Sequence, residues 1–148
     1  MSSSIGDWVL LLNHPDPLTS PENPSMRPLQ TQLLSQNWEW KEKPQDSTSD
    51  LDALSEDSDQ WTPTSVPTEI FKDLLESKKI PDPRFELNEL EVQWVGGTDW
   101  LYRTQFQFDR ALDNGEEAVL VFEGLDTFAN VYLNGELILQ SEVPHSRC

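Results

Sequence analysis

Glu123 and Asp126 stand close together in Phe122-Glu123-Gly124-Leu125-Asp126, and a carboxylate pair is the least equipment that acid/base hydrolysis needs. Such a pair arises cheaply in a chain with 27 acidic residues. Asp126 also follows Gly124-Leu125, where an Asx turn is the ordinary use of its side chain, so a structural role is the expectation for both. Arg103 is the second candidate. It could pair with a carboxylate on a neighbouring strand or hydrogen-bond a sugar hydroxyl, and the ion pair is the favoured reading. His14 and His145 have no serine or cysteine nucleophile placed beside them in an ordered element, so no catalytic triad is supported. There is no phosphate loop, paired-cysteine zinc signature or dinucleotide fingerprint, and no cofactor or metal is implied.

Trp38 and Trp40 alternate with Glu39 and Lys41, which places both indoles on one face of a strand and both charges toward water. Two core tryptophans are expected, with a sugar-stacking pair as the alternative.

Around these residues the pattern is mainly β. Residues 90–95 read as a strand broken by Gly96-Gly97. Trp100, Tyr102, Thr104, Phe106 and Phe108 then alternate with Leu101, Arg103, Gln105 and Gln107, one face buried and one wet. Asp113-Asn114-Gly115 turns the chain into residues 118–123, apolar on both faces like a central strand. Residues 128–133, Asn134-Gly135 and residues 136–140 make a hairpin, since Asn-Gly accepts the positive φ angles of a type I′ turn. One short helix is expected after Thr68, a half-complete capping signal. Ile70, Phe71, Leu74 and Leu75 form its stripe, Lys78 and Lys79 its last turn, and Pro81 and Pro83 its stop. It reads as a lid over one end of an antiparallel sandwich.

Residues 1–28, with prolines at 15, 17, 21, 24 and 28, read as a disordered leader, and residues 29–141 as the sandwich, carrying a mobile acidic loop at 44–60. Residues 142–148 read as a tail. Met26 is expected to be the true start. Ten basic against 27 acidic residues leave a net charge of −17, which disfavours nucleic acid and anionic membrane surfaces and leaves neutral partners such as sugars open. The single cysteine, Cys148, forms no intramolecular disulfide. The apolar run Trp8-Val9-Leu10-Leu11-Leu12 is too short for a signal core or a membrane span, and no Asn-x-Ser/Thr acceptor occurs, so a cytoplasmic protein is expected.

Five ordered blocks then carry a resemblance. They are Val66-Pro67 with the following helix; Ile80-Pro81-Asp82-Pro83; Asn88-Glu89; Trp94-Val95 with Asp99-Trp100-Leu101-Tyr102-Arg103; and Phe122-Glu123-Gly124-Leu125-Asp126-Thr127-Phe128-Ala129 with Val131-Tyr132-Leu133-Asn134-Gly135. Together they resemble the sugar-binding β-sandwich that opens a glycoside hydrolase family 2 β-mannosidase. The Asn88-Glu89-Leu90-Glu91 wording and the lack of a secretion signal point to the fungal, intracellular B type. The resemblance implies a galactose-binding-like jelly roll, incomplete here, from a retaining enzyme that releases terminal β-mannose. Retention needs two carboxyl groups about 5–5.5 Å apart. In the family both are barrel glutamates, and 148 residues are too few for a sandwich plus a barrel of roughly 250. The family's Gly-Trp-Asp-Trp-Gly-Pro motif is absent as well, and Asp99-Trp100 has different flanks. The expectation is a truncated first domain, inactive alone and marginally stable, with β-mannosides as partners of the full-length family. A stand-alone carbohydrate-binding or interaction module is the alternative, and it would need an exposed aromatic platform.

Overall fold

The computed structural model describes residues 4–5, 8–13, 31–57, 60–84, 87–108, 112, 117–125 and 128–142, the first two segments by backbone alone. In chain order the elements are β1 (Ser4–Ile5), β2 (Trp8–Asn13), β3 (Thr31–Leu33), β4 (Trp38–Glu42), α1 (Asp50–Ser55), β5 (Thr62–Thr64), β6 (Thr68–Glu69) and α2 (Ile70–Glu76). There follow α3 (Asn88–Glu91), a 3₁₀ turn (Gln93–Gly97), β7 (Trp100–Thr104), β8 (Glu117–Phe122), β9 (Phe128–Leu133) and β10 (Glu136–Glu142). The fold is mainly β, and every strand pair among the described residues is antiparallel. The strands group as β5-β4-β7, β3-β2-β8, β9-β10 and β1-β6.

The sheet β5-β4-β7 carries the core. Trp40 pairs with Tyr102 across the β4–β7 ladder, and on that face Trp40, Ile70, Leu74, Ile80, Val92 and Val95 form one buried cluster. Phe71, Leu75, Trp100 and Tyr102 pack around it. Among the described side chains, this face of the sheet is packed by helix α2 and the turn after α3. The stripe Ile70, Phe71, Leu74 and Leu75 is thus the core's own wall, where a lid at one end was expected. Burying Ile70 and Leu74, 0 % and 1 % exposed, contributes about 1.5–3 kcal/mol each.

Several expectations need correction. Residues 90–95 are helical, because Val92 and Val95 face the core at a spacing of three, which the α3 and 3₁₀ turns satisfy and a strand does not. The acidic loop holds α1, capped by the Ser49 hydroxyl, which accepts from the Asp52 backbone amide, with Asp50 and Asp52 at the positive end of the helix. Among the described residues, three short α-helices therefore replace the single one expected. Thr68 does not cap α2; it lies in β6 and donates its hydroxyl to Asp73 Oδ1. Lys78 and Lys79 fall beyond the last helical turn. Lys78 takes the left-handed conformation at φ 57° and the Lys79 amide returns to the Leu74 carbonyl, a Schellman-type closure with lysine where glycine is usual.

Within the stretch read as a leader, Ser4–Ile5 pairs with β6, and Trp8–Asn13 pairs with β3 and β8. The apolar run that is too short for a membrane span is long enough for one strand. β8 borders this three-stranded sheet, and β2, not β8, is its centre. The hairpin forms as expected: Asn134 and Gly135 have φ of 50° and 83°, and Leu133 faces Glu136. Met26, His14, His145, Cys148 and the Asp113-Asn114-Gly115 turn lie outside the described residues.

Candidate functional site

Glu123 is an exposed bend residue just past β8, and Asp126 lies outside the described residues. Trp38 and Trp40 are 2 % and 1 % exposed, so the pair is core and offers no face to a sugar. Trp40 meets Trp100 edge-on at 5.7 Å and receives the Lys79 ammonium over its ring at 4.6 Å.

Three polar assemblies occupy the two faces of the β4 sheet. On the core side, Asp73 of α2 is 3 % exposed and its carboxylate accepts three hydroxyl donors. Thr64 (2.6 Å) and Thr68 (2.9 Å) donate to Oδ1, and Tyr102 (2.8 Å) donates to Oδ2. Burial above all, then the Asp73 charge and hydrogen bond, push the Tyr102 phenol far above its ordinary value. The phenol therefore stays a neutral donor. Asp73 spends its oxygens inside the protein, tying α2, β5, β6 and β7 together.

On the opposite face, Arg103 pairs with its cross-strand neighbour Glu39, as the ion-pair reading expects, at 3.1 Å from Nε to Oε2. Its guanidinium lies 3.9 Å from the Trp61 ring centre, and Nη1 donates to the Leu54 carbonyl at 3.1 Å. Lys41 was expected to face water and instead is 1 % exposed. The α1 segment and Trp61 fold over this face, so its stem is covered while Nζ reaches Glu56 Oε2 at 3.1 Å and the Trp61 ring at 4.6 Å. Glu56 is itself 56 % exposed, so the ion pair opens to solvent on one side.

The third assembly centres on Asp50 at the start of α1. Lys43 donates to its Oδ1 at 2.6 Å, while Tyr132 (3.0 Å) and Asn130 (3.2 Å) of β9 donate to Oδ2. The Lys43 hydrogen bond, more than those from Asn130 and Tyr132, holds the Asp50 carboxyl below the usual carboxylate range. The same bond raises Lys43. Burial first, then Asp50, raises Tyr132. This cluster fastens the β9–β10 hairpin to the β4 sheet.

The Asp73 and Asp50 carboxylates meet internal donors, and the Arg103–Glu39 and Lys41–Glu56 pairs brace the opposite face while staying partly open to solvent. No group of three or more His, Cys, Asp or Glu side chains suited to a metal ion occurs among the described residues. Nor is any described helix long and apolar enough to cross a membrane. Sequence reasoning missed the Asp73 and Asp50 nodes. The available signals were an acidic residue inside an apolar helical stripe and the Ser49 cap ahead of Asp50.

The family model described as glycosyl hydrolase 2 galactose-binding domain-like matches residues 38–147, running from the first core tryptophan through the hairpin. The chain belongs to this family. It is 42 % identical over 115 residues to β-mannosidase B of Thermothelomyces thermophilus, a match covering 76 % of this chain and 12 % of that protein. β-Mannosidase B of Aspergillus terreus is 38 % identical over 111 residues, 74 % of this chain and 12 % of the relative. A protein of the same name in Aspergillus fumigatus is 40 % identical over 118 residues, 79 % and 13 %. The chain thus spans about an eighth of the length of the curated relatives it matches. No solved structure matches it. The family match begins at residue 38, so β2 lies outside it although β2 pairs with β8 inside it.

Proposed function

We propose that these residues are the first, non-catalytic domain of a family 2 β-mannosidase that releases terminal β-D-mannose from β-mannosides in the cytoplasm. The observation that carries the reading is the family match over residues 38–147, joined to the three relatives above, each named β-mannosidase B. The geometry supports the non-catalytic part. Asp73, Asp50 and Glu39 are engaged in internal contacts, and Glu123 stands exposed on a bend. A retaining glycosidase needs two carboxyl groups about 5–5.5 Å apart and free to meet substrate. In this reading residues 29–141 form the sandwich domain and the acid/base and nucleophile belong to other parts of the enzyme.

The test is to incubate the purified 148-residue protein with p-nitrophenyl β-D-mannoside. The expected result is no release above buffer. Turnover that disappears in Glu123→Gln would overturn the non-catalytic assignment and revive the Glu123–Asp126 pair.

A further inference from the structure

Helix α1 joins two parts of the molecule. In its first turn Asp50 accepts from Lys43, just past β4, and from Asn130 and Tyr132 of β9. In its last turn the Leu54 carbonyl accepts from Arg103 of β7 at 3.1 Å, and the Glu56 carbonyl just beyond accepts from the same nitrogen at 3.5 Å. The Glu56 carboxylate adds the ion pair with Lys41 of β4. α1 is thus the clasp between the β4 sheet and the β9–β10 hairpin, and it has only six residues. A helix that short does not hold by itself in water, so these contacts and the charges at its ends decide whether it forms.

Ser55 ends this helix. Its side chain is exposed, and its hydroxyl donates to the Asp52 carbonyl one turn back at 3.0 Å. Glu56 and Asp57, both exposed and outside the helix, follow it directly, and Asp59 comes soon after in the sequence. The earlier hydroxyls of the segment are poorer acceptors. Ser47 and Ser49 are half-buried, Ser47 donating to the Ser49 carbonyl and Ser49 capping the helix. Thr48 is exposed, but Ser49 and not an acid follows it. An exposed hydroxyl ahead of a run of carboxylates complements a kinase whose substrate groove is basic.

We infer that Ser55 is a phosphorylation site whose modification opens the α1 clasp, the enzyme being a serine kinase that selects acidic residues after its acceptor. Ser55 Oγ attacks the γ-phosphorus of ATP. The new Oγ–P bond replaces the bond to the bridging oxygen, ADP leaves with that electron pair, and the hydroxyl proton passes to a base of the kinase. The product carries a charge of about −1.5 to −2 at neutral pH. That charge falls at the negative end of the helix dipole, where no basic residue stands in the last turn, and beside Glu56 and Asp57. The donor to the Asp52 carbonyl is lost at the same time. Arg103 and Lys41 are the cations at this end of α1, and drawing them to the phosphate takes them from Glu39, the Leu54 carbonyl and Glu56. Repulsion and capture therefore act in one direction, and the hairpin loses the Asp50 anchor as α1 loosens.

The experiment treats the 148-residue protein with magnesium-ATP and an acid-directed serine kinase, maps phosphate by tandem mass spectrometry and follows hydrogen exchange in residues 128–142. Phosphate is expected on Ser55 and absent from Ser55→Ala, with hairpin exchange on the order of tenfold faster in the modified protein. Ser55→Glu, which needs no kinase, should move exchange in the same direction by less, while Ser55→Gln stays at the native rate. That pair separates charge from side-chain size. A folded chain that takes no phosphate on Ser55, or takes it on Ser47, Ser49 or Ser58 in its place, would overturn the inference. Phosphate on Ser55 with unchanged hairpin exchange would overturn it as well, because the clasp would have stayed closed.

Discussion

Asp73→Ala tests the buried network that ties helix α2 to the sheet. The substitution removes a carboxylate that is 3 % exposed and accepts from Thr64, Thr68 and Tyr102. Hydrogen bonds to a charged acceptor contribute about 1.5–3 kcal/mol each. The losses do not add, because the partly buried Thr64 and Tyr102 hydroxyls regain water. A cost of about 3 kcal/mol follows, the upper end for leaving a buried neutral donor such as the Thr68 hydroxyl unsatisfied. Tyr102→Phe deletes one donor and should cost about 1.5–3 kcal/mol. In the Asp73→Ala background the same change should cost close to nothing, so the coupling approaches the whole single-mutant effect. The assay is urea unfolding followed by the fluorescence of Trp40 and Trp100, which pack within and around this core. With a slope of about 2 kcal/mol per molar, Tyr102→Phe lowers the midpoint by roughly 1 M. Equal costs in both backgrounds, within about 0.5 kcal/mol, would refute the reasoning. There is a pH signature as well. The folded Tyr102 phenol lies above its ordinary value of 10.0, so its contribution is fully present below pH 10.0 and is lost as pH rises beyond it. Stability should fall in that range in the native protein and fall less in Tyr102→Phe.

Arg103→Lys keeps the charge but loses the planar stack on Trp61 and the fork toward Glu39 and the Leu54 carbonyl. A loss of about 1–2 kcal/mol is expected, read as a lower melting temperature, and an unchanged melt would contradict the role given to the guanidinium. Asp50 has its folded pKa depressed below 3.8, so its support of the hairpin is present above that pH and is lost as pH falls through the depressed value. Hydrogen exchange in residues 128–142 should rise in acid below about pH 4, and Asp50→Asn should show that faster exchange already at neutral pH. A protein begun at Met26 lacks β2, and the β8 amides that bond to it should exchange faster than in the full chain. Identical protection in the two would mean that β2 does not hold β8.

Legibility followed locality. The Asn134-Gly135 hairpin and the Ile70-Phe71-Leu74-Leu75 stripe are set by neighbours a few residues apart, and the structure shows both. The core placement of Trp38 and Trp40 and the Arg103 ion pair were also readable, because strand alternation sorts side chains by face. The failures share a cause in sequence-distant covering. Lys41 looks solvent-facing until Trp61 folds over it, and Asp73 looks like one more polar residue until Tyr102 arrives from 29 positions away. At residues 90–95 the valine spacing competed with a strand reading and won through the core contacts of Val92 and Val95. Prolines dominate the composition of residues 1–28, and the strand Trp8–Asn13 among them finds its partners only in distant β3 and β8. The candidate site was legible mainly through the family resemblance, since the residues that resembled chemistry proved exposed, internal or outside the described segments.

The most direct measurement of the central claim is the rate of p-nitrophenyl β-D-mannoside hydrolysis by the Thermothelomyces enzyme carrying this chain in place of its own first segment. A non-catalytic β-mannosidase domain predicts that the chimera folds and retains hydrolysis, while the chain alone has none. A chimera with native-like circular dichroism and a single melting transition, yet no hydrolysis, would contradict it.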